Sequence, residues 1–422
     1  GNRIEEFDVE IIGVLHNFSP KKSMILARLD HKILDRTGVI EGMSGSPVYI
    51  DGKLIGAVAY SIGTFLKEAI TGITPISDMI AIPGRTVSPS TFSPRIPVQK
   101  ELSLEKLFEM NRVFFQNQSP GIGGGQVATP LHIPLMCSGF SPRVFNSAKS
   151  IFTKLGFTPI RAGASGQLLD VPVLPGTLLK GGDPVGVQLV SGDLDMTAVG
   201  TVTYVDGSKV YAFGHPLYNL GAVDYSMTSV NVLGVAPSMA NSFKLAIPDT
   251  KIGRFSQDRS AGVYGELGKR ARLIPLNISL IGGRGDINDY KIFIADNKIL
   301  TPTLTNLVIS NILTTEERAY GDLTLQLTGD IYFENGRSIH LEDLYSGNFN
   351  VAATGLSNLI ASVVFFLTNN EFRNLDIYRI DLNVRATEEI KFSYLERVWL
   401  DKYTAGPGET IMIKVFFRNF RG

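Results

Sequence analysis

A serine flanked by glycines is the first residue in this chain whose surroundings suit nucleophilic chemistry. Ser44 lies in the run Gly42-Met43-Ser44-Gly45-Ser46-Pro47. A serine attacks only when a base takes its proton and backbone N–H groups stand ready for the developing oxyanion. The small neighbours let a substrate carbonyl approach, and they let the backbone turn so that the amides of Gly42 and Ser44 point at one oxygen. The same run is typical of an ordinary Gly-Ser turn, so both interpretations stand.

A histidine is the side chain best suited to act as the base near neutral pH. The chain has five histidines, and only His215 follows an apolar strand in a turn of small residues, Ala212-Phe-Gly-His-Pro216. This placement predicts a ring that is exposed at a strand end. A histidine that only shapes the turn is the competing interpretation.

A carboxylate would have to orient the histidine ring. Asp30 stands at the end of the apolar strand that precedes Ser44, and Asp224 and Asp258 are its competitors. Taken alone, each of the three is also explained as a solvated charge at the end of a strand.

Composition excludes several classes of function. The 40 basic residues balance the 40 acidic ones, so the chain has no electrostatic footprint for nucleic acid. A single cysteine, Cys137, excludes an internal disulfide and a cysteine-based zinc site. No spacing of histidines and carboxylates indicates a metal site, and we expect no cofactor.

Glycine and proline residues separate short runs of β-branched residues, a pattern that predicts a mainly β (α+β) protein with many tight turns. At 422 residues the chain is long enough for two to four packed units. Two hairpins are clearly marked by Asp-Gly turns, at Asp51-Gly52 and at Asp206-Gly207. The first begins directly after the Ser44 run, and the second leads into His215.

These glycine and proline residues divide the chain into five predicted segments. A β-rich unit covers residues 1–85, a linker with two helices 86–172, a second β-rich unit 173–290, an α/β accessory segment 291–390, and the start of a truncated β-sandwich module 391–422. One linker helix starts near Ser103, and the other runs from an N-cap at Ser141 to a stop at Gly156. The apolar run within 355–369 is too short to span a bilayer and predicts a buried helix, so we expect no transmembrane segment.

Two blocks of the sequence resemble the SpoIVB peptidase family, the stage IV sporulation serine peptidase and its relatives. The first block comprises Ile4–Ile11, Met24–Asp30, Leu34, Thr37-Gly38, Gly42–Pro47 and Gly52–Val58. The second comprises Gly200–Tyr204, Ala212–His215, Arg254–Arg259 and Gly262–Gly265. The family's histidine block precedes its serine block, whereas here the order is reversed. The family's PDZ module is not recognisable.

The resemblance implies a serine endopeptidase built from two chymotrypsin-like β-barrel halves. Residues 1–85 would carry Asp30 and Ser44, and residues 173–290 would carry His215. Ser44 would be the nucleophile, His215 the base, Asp30 the residue that fixes the imidazole tautomer, and the amides of Gly42 and Ser44 the oxyanion hole. Reversed order does not exclude such a triad, because geometry and role define it rather than chain order.

The resemblance also implies an extracytoplasmic location (periplasmic, cell envelope or secreted) and a protein or peptide substrate, a membrane-associated protein among the candidates. Two other classes stay open. One is a catalytically inactive, peptidase-derived binding or scaffold protein, which the large additional segments favour. The other is a carbohydrate- or surface-binding β protein, which rests only on the sandwich-like tail.

Overall fold

A computed structural model describes residues 4–63, 68–84, 121–122, 126–163, 179–238, 241–283, 285–316, 321–370 and 375–420. The fold is mainly β, as the sequence predicts. Two large sheets dominate it, and the Ser44 run and His215 lie where these sheets meet. The helix predicted near Ser103 lies outside the described residues.

The first sheet has seven strands in the order β1-β2-β5-β4-β7-β6, with β3 paired to β4. Its hairpin of β3 and β4 turns at Asp51 and Gly52, whose φ values of 48° and 72° are those of the tight turn predicted from the sequence. Its elements are β1 (Asp8–Ser19), β2 (Lys22–Asp30), α1 (Leu34–Thr37), β3 (Pro47–Ile50), β4 (Lys53–Ile62), β5 (Ala69–Pro75), α2 (Ile76–Ile80), β6 (Gly121–Ile122) and β7 (Gln126–Pro130).

The second sheet has thirteen strands in the order β19-β18-β20-β16-β17-β10-β13-β14-β15-β12-β11-β8-β9. The strands are β8 (Ile133–Ser138), β9 (Phe157–Arg161), β10 (Pro184–Gly192), β11 (Asp195–Asp206), β12 (Lys209–Ala212), β13 (Gly221–Ala236), β14 (Phe243–Arg259), β15 (Gly262–Leu267), β16 (Leu273–Ile281), β17 (Ile287–Ala295), β18 (Asp322–Phe333), β19 (Ser338–Asn348) and β20 (Ile377–Thr387). The Asp206-Gly207 turn joins β11 to β12 in the predicted hairpin.

Six strands of the second sheet pair in a closed ring. Strand β10 pairs with both β11 and β13, and the ring continues through β14, β15 and β12 back to β11. Closure removes free edges and encloses a core, which explains why β10 and most of β11 are buried on both faces. The pairings of the first sheet do not close within the described residues, and the two chymotrypsin-like halves stay a prediction.

Three longer helices cover the second sheet: α3 (Pro142–Lys154), α4 (Leu300–Glu316) and α5 (Phe349–Thr368). The sequence signals for α3 are confirmed, because the Ser141 hydroxyl accepts the N–H of Val144 and Gly156 follows at a φ of 88°. Helix α5 confirms the apolar helix expected within 355–369, and it begins earlier, at the N-cap Asn348.

Helix α5 is also the one described helix long and apolar enough, by length and composition, to cross a membrane. Half of its most apolar window is buried inside the protein, against α4 and strands β18 and β19. The core helix of a globular protein passes the same test.

The two sheets do not follow the segment boundaries that the sequence suggested. Strand β7, from the predicted linker, joins the first sheet, whereas β8, α3 and β9 from the same linker join the second. The tail forms a separate antiparallel pair of β21 (Ser393–Leu400) and β22 (Ile413–Asn419) with exposed side chains. The five-part division itself stays a prediction.

The two sheets are joined by an apolar cluster next to the Ser44 region. Ala57 of β4 and Met79 of α2 pack against Tyr211 of β12 and Tyr264 of β15. A parallel bridge between Glu41 and Phe243 adds a backbone contact on the other side of the Ser44 turn. Elements remote in sequence therefore meet around Ser44.

Candidate active site

The Ser44 run forms a compact turn whose two glycines adopt left-handed φ values, 91° at Gly42 and 98° at Gly45. Hydrogen bonds from Met43 N–H to the Ile40 carbonyl and from Ser46 N–H to the Met43 carbonyl close it. A Cβ atom at Gly45 would lie 2.0 Å from the carbonyl oxygen of Thr201. Glycine is therefore required at this position by both the backbone conformation and the close approach of β11.

Strand β11 satisfies the carbonyl groups of the turn. The Thr201 N–H donates to the Ser44 carbonyl at 2.9 Å, and the Thr201 hydroxyl donates to the Gly42 carbonyl at 2.8 Å. The Thr203 hydroxyl donates to the Gly45 carbonyl at 2.7 Å. Three carbonyls are thus held from one strand of the second sheet, while Val58 of the first sheet bonds Gly45 and Ser46, so both sheets orient the turn.

The amides of the turn divide into two groups. Those of Met43, Gly45 and Ser46 donate to backbone carbonyls. Those of Gly42 and Ser44 donate to no acceptor within the described part of the chain. These are the two amides that the sequence suggests for an oxyanion hole.

His215 follows β12 through two left-handed residues, Phe213 and Gly214, with φ values of 70° and 67°. A Cβ atom at Gly214 would lie 3.0 Å from the Ala57 Cβ atom of the first sheet. The Thr74 hydroxyl of β5 donates to the Gly214 carbonyl at 2.6 Å. The His215 turn is thus docked on the first sheet as the Ser44 turn is docked on the second.

The carbonyl of Val58 is where the two turns meet. It accepts the N–H of Gly45 at 2.8 Å, and the same oxygen would lie 3.2 Å from a Cβ atom at Gly214. A Cβ atom at Gly45 would in turn lie 2.6 Å from the Phe213 nitrogen. The structure therefore brings together the neighbouring residues of Ser44 and His215, although the two are far apart in sequence.

Both side chains that the sequence suggests for catalysis are enclosed. Ser44 is 0% exposed and His215 is 1% exposed. The expectation of an exposed histidine ring is wrong, because the strand end that carries it is covered by the first sheet. The Ser44 hydroxyl and His215 Nε2 are buried without a hydrogen-bond partner in the described residues, and no hydrogen bond joins them.

The ring of His215 is held in one tautomer. Its Nδ1 lies 2.9 Å from the carbonyl oxygen of Pro216. A carbonyl only accepts, so Nδ1 carries the proton and Nε2 has a free lone pair. Burial lowers the pKa of His215 to about 4, with the Pro216 carbonyl opposing and His132 adding to this effect. The ring is therefore a neutral acceptor at neutral pH.

The three candidate carboxylates occupy different environments. Asp30 is exposed at the end of β2, opposite Asp8 of β1, and does not hydrogen-bond His215. Asp224 accepts the N–H of Arg272. The structure therefore does not place Asp30 on the ring nitrogen where the family resemblance puts a carboxylate, since the Pro216 carbonyl occupies that position.

Asp258 of β14 is fully buried, so its interpretation as a solvated charge is wrong. Its carboxylate accepts the N–H groups of Leu217 at 2.9 Å, Tyr218 at 2.8 Å and Leu220 at 3.4 Å. Burial raises the pKa of Asp258 to about 6, against the opposing effect of these backbone hydrogen bonds. Asp258 thus ties down the loop that directly follows His215.

Lys244 is a member of the site that no sequence signal indicated. Its side chain runs past Gly42, where a Cβ atom would lie 3.2 Å from the Lys244 Cδ atom. Its Nζ donates to the Thr201 hydroxyl at 3.0 Å. Burial lowers the pKa of Lys244 to about 8. The bridge of Glu41 to Phe243 and the hydrogen bond from the Lys244 N–H to the Glu41 carbonyl bring this residue to the Ser44 turn.

Comparison with known families bears on the N-terminal part of the chain. Residues 1–78 match the family model of the SpoIVB peptidase S55. The family resemblance seen in the sequence is confirmed over this segment, and at the level of the family it supports a serine peptidase. The segment contains Asp30 and Ser44, whereas His215 and the second resembling block lie outside it. No curated protein and no solved structure matches the chain.

Replacing Gly45 by alanine is expected to destabilise the protein far more than the same change at Gly52. Both glycines have positive φ, but a Cβ atom at Gly52 meets nothing within 4 Å. Gly52→Ala should cost about 1 kcal/mol of unfolding free energy from backbone strain alone. Gly45→Ala should cost at least about 3 kcal/mol, because β11 must also move. Urea unfolding of the two variants measures the difference, and equal costs would contradict the docking described above.

Acidification is expected to destabilise the protein through His215. The ordinary histidine pKa of 6.5 falls to about 4 in the folded state. The unfolded chain therefore binds a proton at higher pH than the folded chain does, and stability rises with pH between about 4 and 6.5. Lowering the pH from 7 to 4 should remove roughly 3 kcal/mol through this one group.

Urea unfolding at pH 7 and pH 4.5 tests this expectation when wild type is compared with His215→Gln. Titrations common to both proteins cancel in the difference between them. The variant should lose less stability on acidification than the wild type. An identical loss in both proteins would show that His215 is not held neutral by burial.

Proposed function

We propose that the chain is a serine endopeptidase that cleaves peptide bonds through an acyl-enzyme formed on Ser44. His215 Nε2 takes the proton of the Ser44 hydroxyl, and the amides of Gly42 and Ser44 receive the oxyanion. The observation that carries the proposal is the convergence of the two turns on the Val58 carbonyl. It supports a meeting of nucleophile and base despite the reversed order of their blocks.

Two further observations support these roles. Only the Gly42 and Ser44 amides of the turn from Gly42 to Ser46 are without an acceptor among the described residues. His215 has its proton on Nδ1, which leaves Nε2 as the nitrogen able to accept one. We propose a protein or peptide substrate, a membrane-associated protein among the candidates, and an extracytoplasmic location, both from the family to which residues 1–78 are similar.

A second candidate function is a peptidase-derived binding or scaffold protein without activity. The observation that favours it is the enclosure of the site, because Ser44 is 0% exposed. A peptide reaches a buried hydroxyl only if the two sheets part or a covering segment moves. The peptidase proposal thus requires an opening of the site that the scaffold proposal does not.

Labelling with a fluorophosphonate probe distinguishes the two candidates. The wild type should be labelled covalently, and Ser44→Ala should take no label. His215→Ala should label at least about 10²-fold more slowly, because a base contributes that much to attack. Intact mass and peptide mapping would place the adduct on Ser44.

Ser46→Ala is the matched control, since Ser46 lies in the same turn and should label as the wild type does. Folded variants are first verified by thermal unfolding. A folded wild type that resists the probe over a range of pH and detergent conditions would overturn the peptidase proposal and favour the scaffold.

A further inference from the structure

One peptide group stands between the histidine ring and a buried carboxylate. The carbonyl of Pro216 and the N–H of Leu217 are the two ends of the same peptide unit. The carbonyl oxygen lies 2.9 Å from His215 Nδ1, and the N–H donates to Asp258 Oδ1 at 2.9 Å. The order of groups is therefore imidazole, peptide, carboxylate.

We propose that Asp258 is the acidic positioning residue of the site and acts on His215 through the Pro216–Leu217 peptide. This inference rests on the proposed function of Ser44 and His215 and assigns to Asp258 the role that the family resemblance gives to Asp30. Asp258 does not touch the ring or the substrate. It holds the peptide that holds the ring.

Geometry and polarisation both support this role. A peptide whose N–H donates to a carboxylate presents a more strongly accepting carbonyl, because successive hydrogen bonds polarise one another. That carbonyl fixes the proton of His215 on Nδ1 and stabilises the ring when Nε2 takes up the Ser44 proton. A carboxylate in direct contact performs these two tasks in a Ser-His-Asp triad, without becoming protonated itself.

The Asp258 carboxylate also orders the loop as a whole. It accepts the Tyr218 and Leu220 N–H groups in addition to that of Leu217. Three hydrogen bonds from the loop to one buried carboxylate stabilise this arrangement of the loop, and with it the orientation of the ring. Asp30, exposed on the first sheet, has no comparable connection to the His215 loop in the described residues.

The first measurement is the tautomer of His215 in the wild type, by ¹⁵N NMR of protein labelled at histidine. The His215 signals are assigned by their loss in His215→Gln. We expect Nδ1 to be protonated and Nε2 to be bare at pH 7. A ring protonated on Nε2 would overturn the proposal. Because this measurement needs no activity, it decides the arrangement of the ring even if the protein takes no probe.

The second measurement compares fluorophosphonate labelling of Asp258→Asn, Asp30→Asn and Asp224→Asn. Asp224→Asn is the matched control, since Asp224 is a partly buried carboxylate that also accepts a backbone N–H. Asp258→Asn should lower the maximal labelling rate about 10²-fold with little change in the probe concentration for half-saturation, because a misplaced base slows the attack itself. Asp30→Asn and Asp224→Asn should stay within about threefold of the wild type.

Thermal unfolding and the His215 tautomer are followed in each variant, so that loss of the fold is separated from loss of positioning. In folded Asp258→Asn the preference for protonated Nδ1 should weaken, whereas the other two variants should retain it. If Asp30→Asn instead loses labelling and Asp258→Asn keeps both its labelling and its tautomer, the role belongs to Asp30 and the proposal is wrong. An unlabelled wild type with the expected tautomer would reject the peptidase function and leave the positioning role of Asp258 intact.

Discussion

The hydrogen bonds that join the Ser44 turn to the second sheet are the interaction on which the rest of the site depends. Buried backbone groups must find partners, and the carbonyls of Gly42, Ser44 and Gly45 find theirs on Thr201 and Thr203. The first sheet makes the reciprocal contact through Thr74 and the Gly214 carbonyl. Neither turn has its full set of partners within its own sheet, so the site exists only where the two sheets are docked.

This dependence explains why small residues mark both turns. At Gly45 and Gly214 the opposing backbone or side chains come so close that a Cβ atom would lie within 3.0 Å of another atom. Gly45 lies against strand β11 of the second sheet, and the Gly214 carbonyl accepts the Thr74 hydroxyl of the first sheet. The motif residues around Ser44 thus serve the docking of the sheets as well as the chemistry proposed for the hydroxyl.

Burial sets the electrostatics of the site. Enclosure keeps His215 neutral by lowering its pKa and raises the pKa of Asp258, since both charged forms are poorly solvated there. Because the His215 ring is buried, solvent does not orient it. The Pro216 carbonyl, which lies beside Nδ1, orients it instead. The enclosure also means that a peptide would reach the Ser44 hydroxyl only if the two sheets part or a covering segment moves.

The sequence by itself determined the local elements and the two motifs. Asp-Gly turns, the Ser141 cap and the Gly-Met-Ser-Gly run depend on the backbone preferences of a few adjacent residues, and such signals can be read without knowing the fold. Only the tertiary structure decided that the residues beside Ser44 lie close to the residues beside His215, and that the His215 ring is buried. The tertiary structure also decided that Lys244 runs past the Ser44 turn and that Asp258 holds the loop after His215. Asp258 lies within the Arg254–Arg259 stretch that resembles the family, yet nothing in its neighbours reveals three amide partners on a distant loop. Burial and hydrogen-bond partners are set by strands far apart in the chain, and no local pattern encodes which of them will meet.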